Sequence, residues 1–572
     1  MFLISQYRNC LLLLMVTFFN LLYAGAQPVM VKEDLHTITL NNSLLSITFN
    51  KGDANIIKIN YNGTNLLNGG NQRGYLTGPS FSMGRSRFKI LRKNEDLVEI
   101  SFYHEGSNHF QYDLRYVLRK DYPGIYCYLV QSHHAGDSAG NYGQTRWGIR
   151  SDESLFDYHL VRDSIQGPMP SMAELDDEVQ DWTYKMADGT VYTKYNYADY
   201  IDGRYVHGMA GRKSGLGIFV IQPSHEYLNG GPTKQYQNVH SSPFLICMFN
   251  CGHFLSDKRK ADNIINGEWV KLDGPFLLYF NKRNDIPSIW TDAKQQAEKE
   301  IKQWPYKWMQ DPNYPLLRGT VKGKLLIDGK AAGNAIIVLA RPGYDWQAQS
   351  QDYIFSVHAD GSGAFEIPNV RAGKYTLYAF GCNSTDEYRH DNIEVQQDKI
   401  TNEGTLNWIT KKNGELLWQI GEADRKTTGF QLADHKRDYG LFNLPPADLQ
   451  YTVGGSKNKD WYYAQTKRGS WDIKFTCKKR YPDESLLTIG IAGSAKNPTL
   501  EIWVNGTKAG AYNFGNDASI YRSAVAGGYY YNLQVPFSST LLNKGDNVIS
   551  LRLPNVKQGG GIMYDVIKLE AK

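Results

Sequence analysis

From residue 36 onward, apolar and polar residues alternate with a period of two over most of the chain. HTITLNNSLLSITFN (36–50) reads as two strands across an Asn-Asn turn. NIIKINYNGTNLL (55–67) repeats the pattern around Asn62-Gly63. LVEISFYHEG (97–106) and HFQYDLRYVLRKDYPGIYCYLVQSHH (109–134) add further strands. Short strands with closely spaced turns predict a large antiparallel β-sandwich. One helix interrupts it. In IPSIWTDAKQQAEKEIKQWP (286–305), Ile289, Ala293, Ala297 and Ile301 recur at helical spacing, Ser288 is placed to cap, and Pro305 stops the run.

A linker, PYKWMQDPNYP (305–315), follows, and then a second series of strands. RGTVKGKLLIDGKAAGNAIIVLA (318–340) and SVHADGSGAFEIPNVRAGKYTLYAFG (356–381) turn at Asp360-Gly361 and Ala372-Gly373, predicting a small immunoglobulin-like sandwich. A third series, from LLWQIGEADRKTTGF (416–430) to IMYDVIKLEAK (562–572), predicts a jelly roll. The expected boundaries are 1–26 for a signal peptide, 27–315 for the first sandwich, 316–403 for the second and 404–572 for the third.

Composition narrows the class. With 21% charged and 41% hydrophobic residues, the chain is globular rather than disordered. Aromatics at 13% suit β-structure packing and also sugar stacking. The net charge of +5 mildly favours a polyanionic ligand, and no Lys/Arg run marks a nucleic-acid partner. Arg8, the apolar run CLLLLMVTFFNLLYA and a small-residue AGA ending at Ala26 predict a cleaved export signal, hence a secreted or periplasmic protein without membrane insertion. Cys127, Cys247, Cys251, Cys382 and Cys477 are too sparse for a disulfide scaffold and are expected as buried free thiols. No phosphate-binding loop, dinucleotide fingerprint, zinc-protease or nucleophile-elbow motif occurs.

Candidate chemistry therefore concentrates in the first sandwich. TRWGIR carries Arg146 and Arg150 at i, i+4, on one side of a strand. YTKYNYADYIDGRYVHGM carries Lys194, Tyr195, Tyr200, Tyr205 and His207, and CGHF places His253 after an apolar run. The cluster Glu174, Asp176, Asp177, Glu178 and Asp181 reads as a solvated acidic loop.

These segments, with NGGPTKQ and MFNCGHF, resemble polysaccharide lyase family four, the rhamnogalacturonan lyases, over nearly all of the mature chain. The resemblance implies a mutarotase-like β-sandwich, a fibronectin-III-like module and a carbohydrate-binding-like jelly roll. It also implies β-elimination in the rhamnogalacturonan I backbone of pectin. The family's catalytic lysine and histidine fall on Lys194 and His253, and its arginine falls on Arg150 with Arg146 as alternative. Family members can carry tyrosines on the strand before the histidine; here that run is FLICMFNC, so tyrosine contacts are expected from Tyr195, Tyr200 or Tyr205, with His207 beside them. The arginines make a metal unnecessary for catalysis and leave room for a structural Ca²⁺. A monomer is expected. Two other readings share the scaffold: a non-catalytic pectin-binding protein, and a glycoside hydrolase working through a carboxylate pair such as Asp176 and Glu178.

Overall fold

A computed structural model describes residues 28–78, 81–254, 257, 262–522 and 528–572. The expected signal peptide lies outside these residues. No helix among them is long and apolar enough to cross a membrane.

The chain is almost entirely β-structure, in three successive units. The first packs a 10-stranded sheet against a 9-stranded one. Alternation sets which side chains face inward. Along Leu45–Asn50 every second residue, Leu45, Ile47 and Phe49, is buried between the sheets. The Asn62-Gly63 turn closes as expected, with both residues at positive φ (51° and 78°).

The helix spans Ile286–Gln303 and lies over the second sheet, with Ile289, Trp290, Ala293 and Ala297 in a shared apolar cluster. Two details differ from the sequence expectation. Asp285, not Ser288, is the cap: its carboxylate accepts the Ser288 N–H at 2.8 Å. Ile301 points outward at 36% exposure.

The second unit is a sandwich of two 4-stranded sheets. Its last strand, Ile400–Trp408, pairs with Gly319–Ile327, and Trp408 is in its core. This strand runs across the expected 403/404 boundary. The third unit packs two 5-stranded sheets. Burial joins the first two units as well. Glu226 accepts from Arg318 at 2.6 Å and Arg371 at 2.9 Å, and all three side chains are nearly or fully enclosed. Among the described residues the cysteines are all free, and Cys382 is exposed where burial was expected.

Candidate active site

The strand Thr145–Arg150 lies between Gly74–Gly78 and Phe244–Asn250. Its odd positions face the core, where the Trp147 indole donates to Tyr116 at 2.8 Å. Its even positions, Arg146 and Arg150, face a cleft on the other side. Gly148 sits between them because space is short: a Cβ there would meet the Phe244 ring at 2.5 Å. That ring lies against both guanidinium groups, 4.3 Å from Arg150 and 5.9 Å from Arg146. Arg150 also donates to Ser242 Oγ at 2.7 Å.

His253 stands three residues beyond the strand Phe244–Asn250. The NGGPTKQ segment fixes that loop. Asn229 accepts from Cys251 N–H at 3.0 Å and donates to its carbonyl at 3.2 Å, and Lys234 donates to the same carbonyl. Lys194 opens a single helical turn, Lys194–Tyr197, capped by the Thr193 hydroxyl, which accepts the Tyr195 N–H at 3.3 Å. Its side chain is buried and donates to Asp181 Oδ1 at 2.7 Å.

Together these residues line a cleft of about 390 Å³ with Gln144, Trp182, His240 and Arg522. Four cations, Arg146, Arg150, Lys194 and Arg522, face one carboxylate, Asp181. Arg150 and Trp182 also border a second hollow of about 440 Å³ with Arg73, Tyr75 and Glu153, so the cleft adjoins a further depression on the surface.

The electrostatics follow from burial. Desolvation lowers the Lys194 amine below the usual lysine range; Asp181 opposes that, while Arg522 and Arg146 reinforce it. Burial would raise the Asp181 carboxyl, but Lys194, Tyr195 and Arg522 overcome this and hold it at about 2. Burial, Arg522 and Lys194 push His253 well below the usual histidine range, so its ring is neutral near pH 7. His240 is lowered for the same first reason, with its ring between Trp182 (4.6 Å) and Phe244 (4.7 Å).

Of the expected site residues, the structure brings Lys194, His253, Arg146 and Arg150 into one cleft. Tyr195 adjoins it, donating to Asp181 and facing the His253 ring at 6.1 Å. Three others are not in the cleft. His207 is buried with both ring nitrogens engaged, to Arg204 (2.7 Å) and to the Ile246 carbonyl (2.7 Å). Tyr205 stacks on His225 at 4.8 Å, toward the second unit. Tyr200 lies in the strand Asp199–Tyr200 with the Lys426 ammonium 4.8 Å from its ring. The strand before His253, Phe244–Asn250, contains no tyrosine and offers the cleft the Phe244 ring instead.

Three contributors were not expected. Asp181 belongs to the cleft, not to the solvated acidic loop; Asp176 and Glu178 remain exposed. His240 had no motif to mark it. Arg522 arrives from the third unit, its guanidinium donating to Tyr195 Oη at 2.8 Å. Among the described residues no group of three or more His, Cys, Asp or Glu side chains is arranged to hold a metal ion.

Comparison with known proteins agrees with this architecture. Family models described as rhamnogalacturonate lyase family, polysaccharide lyase family 4 domain II and polysaccharide lyase family 4 domain III match residues 16–192, 328–403 and 416–569. A rhamnogalacturonate lyase of Dickeya dadantii is 31% identical over 93% of each chain. A probable rhamnogalacturonate lyase B of Aspergillus flavus is 22% identical, covering 94% of this chain and 96% of its own. A galactose mutarotase-like protein of Lactobacillus casei, 10% identical, superposes over 43% of this chain and all of its own with a TM-score of 0.28. The three matched units are those of a polysaccharide lyase. The chain belongs to the rhamnogalacturonate lyase family.

Proposed function

We propose that the protein cleaves the α-1,4 bond between rhamnose and galacturonate in rhamnogalacturonan I by β-elimination. The observation that carries this reading is the buried Lys194 amine in a cleft with His253, Arg146 and Arg150. A uronate C5–H is weakly acidic because the adjacent carboxylate is already anionic. Arg146 and Arg150 bind that carboxylate and stabilise the enolate-like charge as C5–H breaks, with no metal required. Lys194 accepts the C5 proton, for which its amine must be neutral; burial and the neighbouring arginines favour that form. The C4–O4 bond then breaks, C4 and C5 become doubly bonded, and O4 leaves with rhamnose, protonated by His253. The arriving uronate supplies the negative charge that lets the His253 ring carry the proton it donates.

A glycoside hydrolase needs two carboxylates across the bond, whereas among the described residues Asp181, held by Lys194, is the one carboxylate lining this cleft. One observation favours a second assignment within the elimination. His253 is neutral in the free cleft, with Nδ1 making no hydrogen bond among the described residues, as a base should be, while Lys194 is ion-paired. In that version His253 takes the C5 proton and Lys194 protonates O4.

The test is the absorbance of the unsaturated uronate released from rhamnogalacturonan I, with and without a chelator. Lys194→Ala should lose about 10²–10⁴-fold in rate while keeping the native fold, and chelation should leave the wild-type rate unchanged. A Lys194→Ala protein with most of its activity would remove Lys194 from the chemistry.

A further inference from the structure

Lys194 and Asp181 do not meet by chance of surface rotamers. The strand Thr183–Lys185 pairs with both Asp177–Gln180 and Val191–Thr193, and Thr183 lies directly opposite Thr193. Lys194 follows Thr193, and Asp181 stands two residues before Thr183, so register brings them to the same end of this small sheet. Thr183 and Thr193 tie that end with a hydroxyl contact of 2.8 Å, and Lys194 N–H donates to the Trp182 carbonyl at 3.3 Å.

The turn that presents Asp181 is unusual. Gln180 pairs with Thr183, leaving Asp181 and Trp182 as a two-residue hairpin loop with both φ values positive, 35° and 56°. Such loops favour Asn-Gly, because an ordinary side chain is strained at positive φ. A tryptophan there is held by its surroundings. Trp182 N–H donates to Glu178 at 2.9 Å, and Gln180 donates to the Tyr521 carbonyl of the third unit at 2.7 Å. Strain of this kind persists where the loop has a task. Here the loop places a carboxylate on the amine and an indole on the cleft wall.

We propose that Asp181 is a positioning residue of the elimination: presented by this strained turn, it holds the Lys194 amine in place and sets the pH at which that amine is free to accept a proton. The inference rests on the reading of Lys194 as the base. Asp181 is the negative group facing Lys194. Arg522, Arg146 and Arg150 face it as cations, and His240 and His253 as neutral rings. Asp181 favours the ammonium, whereas Arg522, 3.8 Å from Asp181 and hydrogen-bonded to Tyr195, favours the free amine. The third unit thereby acts on the base of the first.

The two charges predict opposite effects. In the pH profile of kcat/KM on rhamnogalacturonan I, the limb that rises with pH reports loss of the Lys194 proton. Asp181→Asn should move this limb down by about one pH unit or more. Arg522→Gln should move it up. Asp181→Glu keeps the charge and should keep the limb near its wild-type position with a lower kcat. A purely structural role would lower the rate without moving either limb, and unmoved limbs, or shifts in the same direction, overturn the proposal. If Asp181→Asn fails to fold by circular dichroism, the upward shift in Arg522→Gln decides alone. Activity retained in Lys194→Ala would instead remove the base assignment and Asp181's role with it. Loss of activity in Lys194→Ala with unmoved limbs would remove only the role of Asp181.

Discussion

Lys194 and His253 differ in how they are held, and that difference makes their roles in the cleft separable. Lys194 is anchored at its tip by Asp181, while His253 is held through its backbone loop, with Asn229 and Lys234 on the Cys251 peptide. Both are buried and both are lowered by desolvation, which brings the neutral Lys194 amine nearer to pH 7 and keeps the His253 ring neutral there. The residue that removes the C5 proton can be identified by isotope exchange in D₂O. If Lys194 is the base, a His253→Ala protein should incorporate deuterium at C5 of the bound uronate even though bond cleavage is slow. If His253 is the base, exchange disappears in that variant and persists in Lys194→Ala. Mass analysis of recovered oligosaccharide reads either outcome directly.

At the scale of elements, alternation and turn chemistry made most strands legible, because a half-buried strand must show one face to the core. The turn at Asn62-Gly63 and the same-side placement of Arg146 and Arg150 both follow from such local rules. The Asp181–Trp182 turn was illegible for the opposite reason. It violates the residue preference of its own turn type, so the acidic letters around it read as a loop. The helix Ile286–Gln303 shows the intermediate case, with its apolar stripe plain and its first residue misplaced. Two polar residues, Asp285 and Ser288, stand near its start, and only the backbone angles decide which one caps. Asp285→Ala should therefore cost about 1 kcal/mol of stability, and Ser288→Ala a few tenths at most. Paired thermal or urea unfolding of the two variants checks this, and an equal cost for both would reassign the cap.

Across the whole molecule the order of the three units was readable from strand patterning, but not what passes between them. Contacts between units join residues far apart in sequence and carry no periodicity. Arg522 stands beside Tyr195 although the two are 327 positions apart in sequence. The same holds for the buried cluster of Glu226 with Arg318 and Arg371, which closes the junction of the first and second units. The side chains of Glu226 and Arg318 are 2% and 1% exposed, so neither charge has water to fall back on. Removing the carboxylate leaves two guanidinium groups facing each other without a counter-charge, the situation in which breaking a buried pair costs roughly 3–5 kcal/mol. Glu226 does not line the cleft. Glu226→Ala should thus lower the thermal midpoint clearly while the folded fraction keeps its kcat on rhamnogalacturonan I. A midpoint equal to wild type would mean that the first two units hold together without this cluster. A folded variant with a collapsed kcat would mean instead that the junction sets the geometry of the cleft itself.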